Sequence, residues 1–222
     1  MLYLYHKEAG ASILALTGDD HRYIFKVRRH KVNDRLHLRN LNDAYLYTYE
    51  IEAIDKRTVH LSLLSKEQYC ITSHHSLHIG WCIIDPKNIE KILPSLNEMG
   101  VEKITFIYCQ RSQKSFKPDF KRLEKILLNS SQQSGRSVMM KLELMDNLQV
   151  FLEKYPESYV LNFSENTIEE QEEIKTIVIG CEGGFHEEEL DLVDPSHIVG
   201  FDTPLVLKSE SAVCAVTAKL LL

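Results

Sequence analysis

Thr176–Ile179 is a short, uncharged, β-branched run that passes directly into Gly180-Cys-Glu-Gly-Gly184. Such a run reads as a buried strand. The acidic Glu187-Glu-Glu189 that follows suits a helix N-terminus, where negative charge meets the positive end of the helix dipole. A strand that stops in glycines and restarts as a helix lets backbone approach a ligand closely, because no Cβ intervenes. On its own the stretch fits two structures equally: a ligand loop, or a tight turn into a solvated acidic helix.

From Leu77 onward, strand and helix patterns alternate. Apolar runs at 77–84, 103–108, 138–144 and 159–163 read as strands. Ile89, Ile92, Leu93, Leu96 and Met99 mark one helical face, Leu123, Ile126 and Leu127 a second, and Leu148, Phe151, Leu152 and Tyr155 a third. Asp85-Pro86 is an N-cap with proline at the first helical position, Gly100 is a C-cap, and Pro94 is expected to kink the helix between them. A strand around 197–199 leads to a final helix over 209–222. This alternation predicts an α/β domain with a largely parallel sheet covered on both faces. A dinucleotide-binding fold would place its glycines after the first strand, where this chain has Ile84-Asp85-Pro86.

Residues 1–70 differ. Short alternating runs at 35–39, 45–54 and 58–64, each after an Asn/Asp/Lys turn, predict a small β-barrel, and Asp19 is a candidate cap for a short basic helix before them. The Ser/Thr/His-rich stretch 65–76 reads as a linker, which divides the chain into domains 1–70 and 71–222. His74 and His75 lack a third ligand at suitable spacing, so no metal is expected.

Net charge is −6, yet the distribution is polarised. Residues 21–39 carry seven Lys/Arg against Asp34, and residues 111–141 carry eight against two acids. Residues 143–194 carry fifteen acids against Lys154 and Lys175. Two basic stretches point to an anion-binding face. The five cysteines are widely spaced with no Cys-x-x-Cys, which suggests neither a zinc site nor a disulfide framework and fits a reducing cytoplasm. No apolar run approaches the roughly 18 residues of a membrane span, and the first residues lack a signal-peptide pattern. The expectation is a cytoplasmic protein without a membrane partner.

A second stretch gives the glycine loop a context. Thr203-Pro-Leu-Val-Leu-Lys-Ser-Glu-Ser-Ala212 lies one βα unit downstream. "IGCEGGF" and "LVLKSESA", with "LNEMGVEKITFIYCQRSQKS" and "SSQQSGRSVMMKLE", resemble in order four blocks of the RsmE family over Leu77 to Leu222. That family methylates N3 of a uridine in 16S ribosomal RNA. "HRYIFKVRRHKVNDRLHLRN" is similar to the opening of its N-terminal domain. The resemblance implies a PUA-like RNA-binding β-barrel followed by a SPOUT α/β-knot domain, trefoil-knotted, with S-adenosyl-L-methionine as cofactor. It also implies a homodimer with the site near the subunit interface, and the small ribosomal subunit as partner.

By the same resemblance the cofactor pocket uses Leu161, Asn162, Ile179, Gly180, Glu182, Gly183, Gly184, Val199, Gly200, Leu205, Val206, Leu207 and Glu210. Leu161 and Leu207 equally suit plain core. Glu182 and Glu210 equally suit capping of local amides. Glu98, Arg111, Ser112, Gln133, Ser134 and Arg136 fall on further family positions. Arg111, Arg136 and Lys208 are the candidate catalytic cations, stabilising charge that builds on the uracil carbonyls as the N3 proton leaves; surface ion pairing is the other use of such arginines. Cys181 stands for the family's proline, Thr203 and Leu205 for its glycine and arginine, Lys208 for arginine, and Ser209 and Ser211 for threonine. Two other functions fit the residues: methylation at another RNA position such as a ribose 2′-oxygen, and non-catalytic RNA binding with a degenerate pocket.

Overall fold

The computed structural model describes residues 2–171 and 173–222. Met1, the first residue of the expected N-terminal domain, and Glu172, one acid of the acidic stretch, lie outside the described residues. The chain forms two compact units, Met1–Thr72 with Ser131–Met139, and Ser73–Ser130 with Met140–Leu222.

In the first unit, β1 (Leu4–Tyr5), β2 (Ile13–Thr17), β3 (Arg35–Arg39), β4 (Tyr45–Ile54) and β5 (Thr58–Gln68) form one sheet in the order β1-β3-β4-β5-β2. Every pairing is antiparallel except β1 with β3. The period-2 alternation sends Leu14, Leu16, Tyr47, Tyr49, Ile51, Val59 and Leu61 to one face, where they pack with Ile24 and Leu38. Two register shifts between β4 and β5 bend the long hairpin around that core. The short helix α1 (Gly18–Arg22) has Thr17 at its N-cap position, without a side-chain capping bond among the described residues, and runs on as a π-helical turn, Tyr23–Val27. Asp19, expected as the cap, sits inside the first turn, so the helix starts two residues earlier than read. Residues 131–139 join this unit through backbone and side-chain bonds: Leu2 N donates to Gln132 O (2.8 Å), Tyr5 N to Gln132 Oε1 (2.7 Å) and Ile71 N to Ser137 Oγ (2.8 Å).

The second unit is an all-parallel six-stranded sheet of β6 (His78–Cys82), β7 (Lys103–Ile107), β8 (Lys141–Met145), β9 (Tyr159–Leu161), β10 (Thr176–Ile179) and β11 (Ile198–Val199), in the order β11-β9-β10-β6-β7-β8. The connecting helices are α2 (Pro86–Met99), α3 (Phe120–Ser134), α4 (Leu148–Lys154), α5 (Glu187–Leu190) and α6 (Ser209–Leu221). Ile177, Val178 and Ile179 of β10 are at most 1% exposed, which is why that strand reads as an unbroken apolar run. Asp85 caps α2 by accepting from Lys87 N at 2.8 Å, and Gly100 ends it at φ 104°; Pro94 lies inside a helix that remains continuous. At the opposite edge of the sheet from the strand C-termini, His78 packs against Phe151 and Tyr155 with its Nε2 2.8 Å from Thr105 Oγ1. Burial, with Lys103 nearby, pushes its pKa down to about 4.

Three further expectations change. The strand expected over 138–144 starts at Lys141, because the residues up to Met139 are taken up by the first unit. The expected linker loses residues 65–68 to β5, whose pairing with β4 extends to Gln68. Cys82 and Cys109 form a disulfide, with Cα atoms 5.8 Å apart. They are 27 residues apart in sequence, and only the side-by-side ends of β6 and β7 bring them together.

Candidate functional site

In a parallel sheet every strand ends on the same edge, so the loops after β9, β10 and β11 open together. They enclose a cavity of about 380 Å³ with the start of α6 as a further wall. Of the residues expected at a cofactor site, Leu161, Asn162, Ile179, Gly180, Glu182, Gly183, Gly184, Leu205, Val206 and Leu207 line it. Phe163, Ser164, Cys181, Phe201, Thr203, Ser209 and Ala212 complete the lining.

Val199, Gly200 and Glu210 do not reach the wall. Val199 O accepts from Asn162 N at 2.9 Å and so fixes the β9 loop from behind. Gly200 lies so close to that loop that a Cβ would stand 2.8 Å from Ser164 O. Glu210, in the first turn of α6, has Oε2 buried without a hydrogen-bond partner among the described residues, and its charge helps raise the Cys214 pKa behind burial of that thiol.

The glycine loop is held from three sides. Gly180 O accepts from Ser209 Oγ at 2.5 Å, and Ser209 Oγ in turn accepts from Trp81 Nε1 at 2.9 Å. Ser209 is therefore a strut between β6, the loop and α6 rather than a helix cap. Lys208 occupies the N-cap position of α6 and makes no side-chain capping bond among the described residues. Gly183 O accepts from Arg111 Nη1 at 2.7 Å. A Cβ at Gly183 would meet the Arg111 side chain at 3.3 Å, so glycine is what lets the two loops close. Glu189, 5% exposed, accepts from His186 N and from Gln110 N, both at 2.9 Å, and joins α5 to the loop that carries Arg111. Ser112 closes that second loop on itself, its Oγ accepting from Cys109 N at 3.3 Å.

Arg111 and Lys208 are both exposed, and Arg111 spends one donor on Gly183 O. Arg136 belongs to the first unit; it is 9% exposed and its Nε donates to Val138 O at 2.9 Å. Glu98 and Gln133 are exposed on their helices, and Ser134 is half-buried. Trp81, Ser209 as a strut and Glu189 escape a sequence reading. Trp81 lies in a strand and looks like core; Glu189 looks like one of three solvated acids at a helix start.

The lining suits a flat ligand with polar edges. Among the described residues nothing accepts from the backbone N–H groups of Cys181, Glu182, Gly183, Val206 or Leu207, while the side chains around them are largely apolar. Donors without partners beside apolar walls favour a ligand that supplies both acceptors and a face. Glu182 is exposed on the wall and among the described residues makes no bond to loop amides, which leaves its carboxylate to complement positive charge. Among the described residues no cluster of three metal-ligating side chains occurs.

A family model described as an RNA methyltransferase domain matches residues 72–221, and one described as an RNA methyltransferase PUA domain matches residues 16–64. The chain is 39% identical over 216 residues to the ribosomal RNA small subunit methyltransferase E of Helicobacter pylori strain J99, covering 96% of each chain. It is 25% identical over 217 residues to the protein of that name from Buchnera aphidicola of Acyrthosiphon pisum, covering 91% of this chain and 85% of the relative. In fold it is similar to a Legionella pneumophila methyltransferase solved with S-adenosylmethionine bound, with a TM-score of 0.82, 22% identity, and coverage of 99% of this chain and 96% of that one. The ribosomal RNA small subunit methyltransferase E of Neisseria gonorrhoeae, also bound to S-adenosylmethionine, matches with a TM-score of 0.82, 18% identity and the same coverage.

Proposed function

The chain belongs to the RNA methyltransferase family of the ribosomal RNA small subunit methyltransferases E, and from that premise we propose that it methylates N3 of one uridine in 16S ribosomal RNA. The observation that carries the reading is the glycine-loop cavity with Arg111 clamped to Gly183 at its lip.

S-adenosyl-L-methionine supplies an electrophilic methyl group when bound. The residues that would hold it are those of the cavity: the backbone N–H groups of the two loops, the apolar faces of Leu161, Ile179 and Leu207, and the Glu182 carboxylate. The uracil N3 is a poor nucleophile while it keeps its proton. Arg111 lowers the cost of losing that proton by placing permanent positive charge where the flanking carbonyl oxygens gather negative charge. Lys208 contributes a second, less directional charge. Arg136 is carried over from the resemblance, and Arg136→Ala is expected to abolish turnover while cofactor binding persists.

The protein acts as a homodimer in the cytoplasm on the small ribosomal subunit. Phe163, Leu205 and Val206 are each more than 70% exposed at the cavity wall, a surface that a second copy would cover. Among the described residues no helix is long and apolar enough to cross a membrane. The test is to incubate the protein with S-adenosylmethionine and unmodified 30S subunits and map the methylated nucleoside by mass spectrometry. A 3-methyluridine in 16S RNA is expected; a 2′-O-methyl nucleoside, or no methylation, would sink the assignment.

A further inference from the structure

The first unit holds a cavity that the methyl-transfer chemistry does not use. It lies between β1, the π-helical turn and β3, and has a volume of about 340 Å³. Leu4, Ile24 and Leu36 give it an apolar floor, and the half-buried Tyr23 ring lies beside them. Arg28 and Arg35, both exposed, also line it.

Two features make this more than a crevice. The Arg28 guanidinium is pinned to Tyr23, with Nε donating to the phenol oxygen at 2.6 Å and Cζ 5.5 Å from the ring centroid. Its remaining N–H donors stay available in a fixed plane, the arrangement that binds a phosphate in a fork. The surrounding charge is also uncancelled. Asp34, the one acid among residues 21–39, accepts from Lys31 N at 2.9 Å and lies 3.1 Å from His30 Nδ1, so it is engaged within its own turn. Glu50 stands opposite Arg35 in the β3–β4 register, yet neither Arg35 nor Arg28 forms an ion pair among the described residues. An apolar floor with an aromatic ring calls for a base, and a rim of unpaired arginines calls for a phosphate; the volume is of the size that small-ligand pockets have.

We propose that this cavity is a nucleotide subsite, which takes one unstacked nucleotide of single-stranded RNA with its base against Tyr23 and its phosphate between Arg28 and Arg35. It rests on the RNA-directed reading above and adds where a nucleotide other than the methylated one is gripped. A duplex cannot offer a base in this way, so the subsite selects single-stranded or unpaired RNA.

The test is a titration of the full chain with a labelled single-stranded RNA of about ten nucleotides, followed by anisotropy over a series of salt concentrations. Arg28→Glu is expected to weaken binding about tenfold or more and to flatten the salt dependence, because a phosphate contact is lost. Tyr23→Ala is expected to weaken binding about tenfold with the salt slope unchanged, because stacking is uncharged. Tyr23→Phe keeps the ring and its contact with the Arg28 guanidinium while losing the phenol tie, and is expected to weaken binding less than Tyr23→Ala does. S-adenosylmethionine binding, followed by calorimetry, is expected to be unaltered in all three. Parental affinity in both Arg28→Glu and Tyr23→Ala, or the same losses on a duplex of equal length, would overturn the proposal. If the parent methylates 30S subunits while these variants bind RNA normally, the subsite falls alone. If the variants lose RNA binding but no methylation is found, the methyltransferase reading falls and the subsite stands.

Discussion

The two loops that face each other across the cavity are built in opposite ways. The glycine loop after β10 is tied at Gly180 O by Ser209, at Gly183 O by Arg111 and at His186 N by Glu189. The loop over 203–208 has a bond from Thr203 N to Phe201 O and one from Leu205 N to Thr203 Oγ1, while Leu205 and Val206 are 72% and 77% exposed. One wall is set before a ligand arrives; the other has little of its own to hold it. Affinity therefore depends on preorganisation on one side and on ordering paid at binding on the other.

The sharpest way to break the comparison is Gly183→Val. The new side chain meets Arg111 and must push the two loops apart, and overpacking of this kind costs about 1–3 kcal/mol. Cofactor affinity measured by calorimetry is expected to fall about 10–100-fold, with Arg111 no longer held to the loop. An affinity unchanged within twofold would show that the clamp does not shape the pocket.

A pH titration tests whether the tied loop depends on the sheet beneath it. His78 has a folded pKa of about 4 against an ordinary 6.5. The unfolded chain therefore binds the extra proton first as pH falls, so stability present above 6.5 is lost between 6.5 and 4, up to roughly 3 kcal/mol. Urea unfolding at pH 7 and pH 4.5 should show a decrease that His78→Phe removes; an equal decrease in both proteins would assign it to other groups.

Ser209→Ala removes the strut from Gly180 O and leaves Trp81 Nε1 buried without an acceptor. A loss of about 1–3 kcal/mol is expected in chemical denaturation, together with weaker cofactor binding. Leu205→Ala is the smallest: stability is expected within about 0.5 kcal/mol of the parent, since the side chain is exposed, while cofactor affinity falls a few-fold. A large stability loss there would mean that the second loop is held as firmly as the first.

Much of the second unit was legible because its signals are local. The apolar run of β10, the Asp85 cap and the glycine at the end of α2 each report the state of their own few residues. The start of β8 was not legible, since residues up to Met139 are claimed by hydrogen bonds to Leu2, Tyr5 and Ile71, far away in sequence. The pocket was half legible. Glycine and leucine on the loops announced themselves through the family blocks, whereas Trp81 and Glu189 have patterns indistinguishable from core and from a solvated helix start.

By itself the sequence determined the layer architecture, the glycine-lined turn and the concentration of positive charge near the N-terminus, because propensity, periodicity and charge are properties of neighbours along the chain. Only the tertiary structure decided that Ser209 braces Gly180, that Arg111 meets Gly183 and that Glu189 joins two loops. Those contacts join residues 29, 72 and 79 positions apart. Parallel β-strands that end on one edge create them, and no short-range pattern encodes which distant donor will meet which carbonyl.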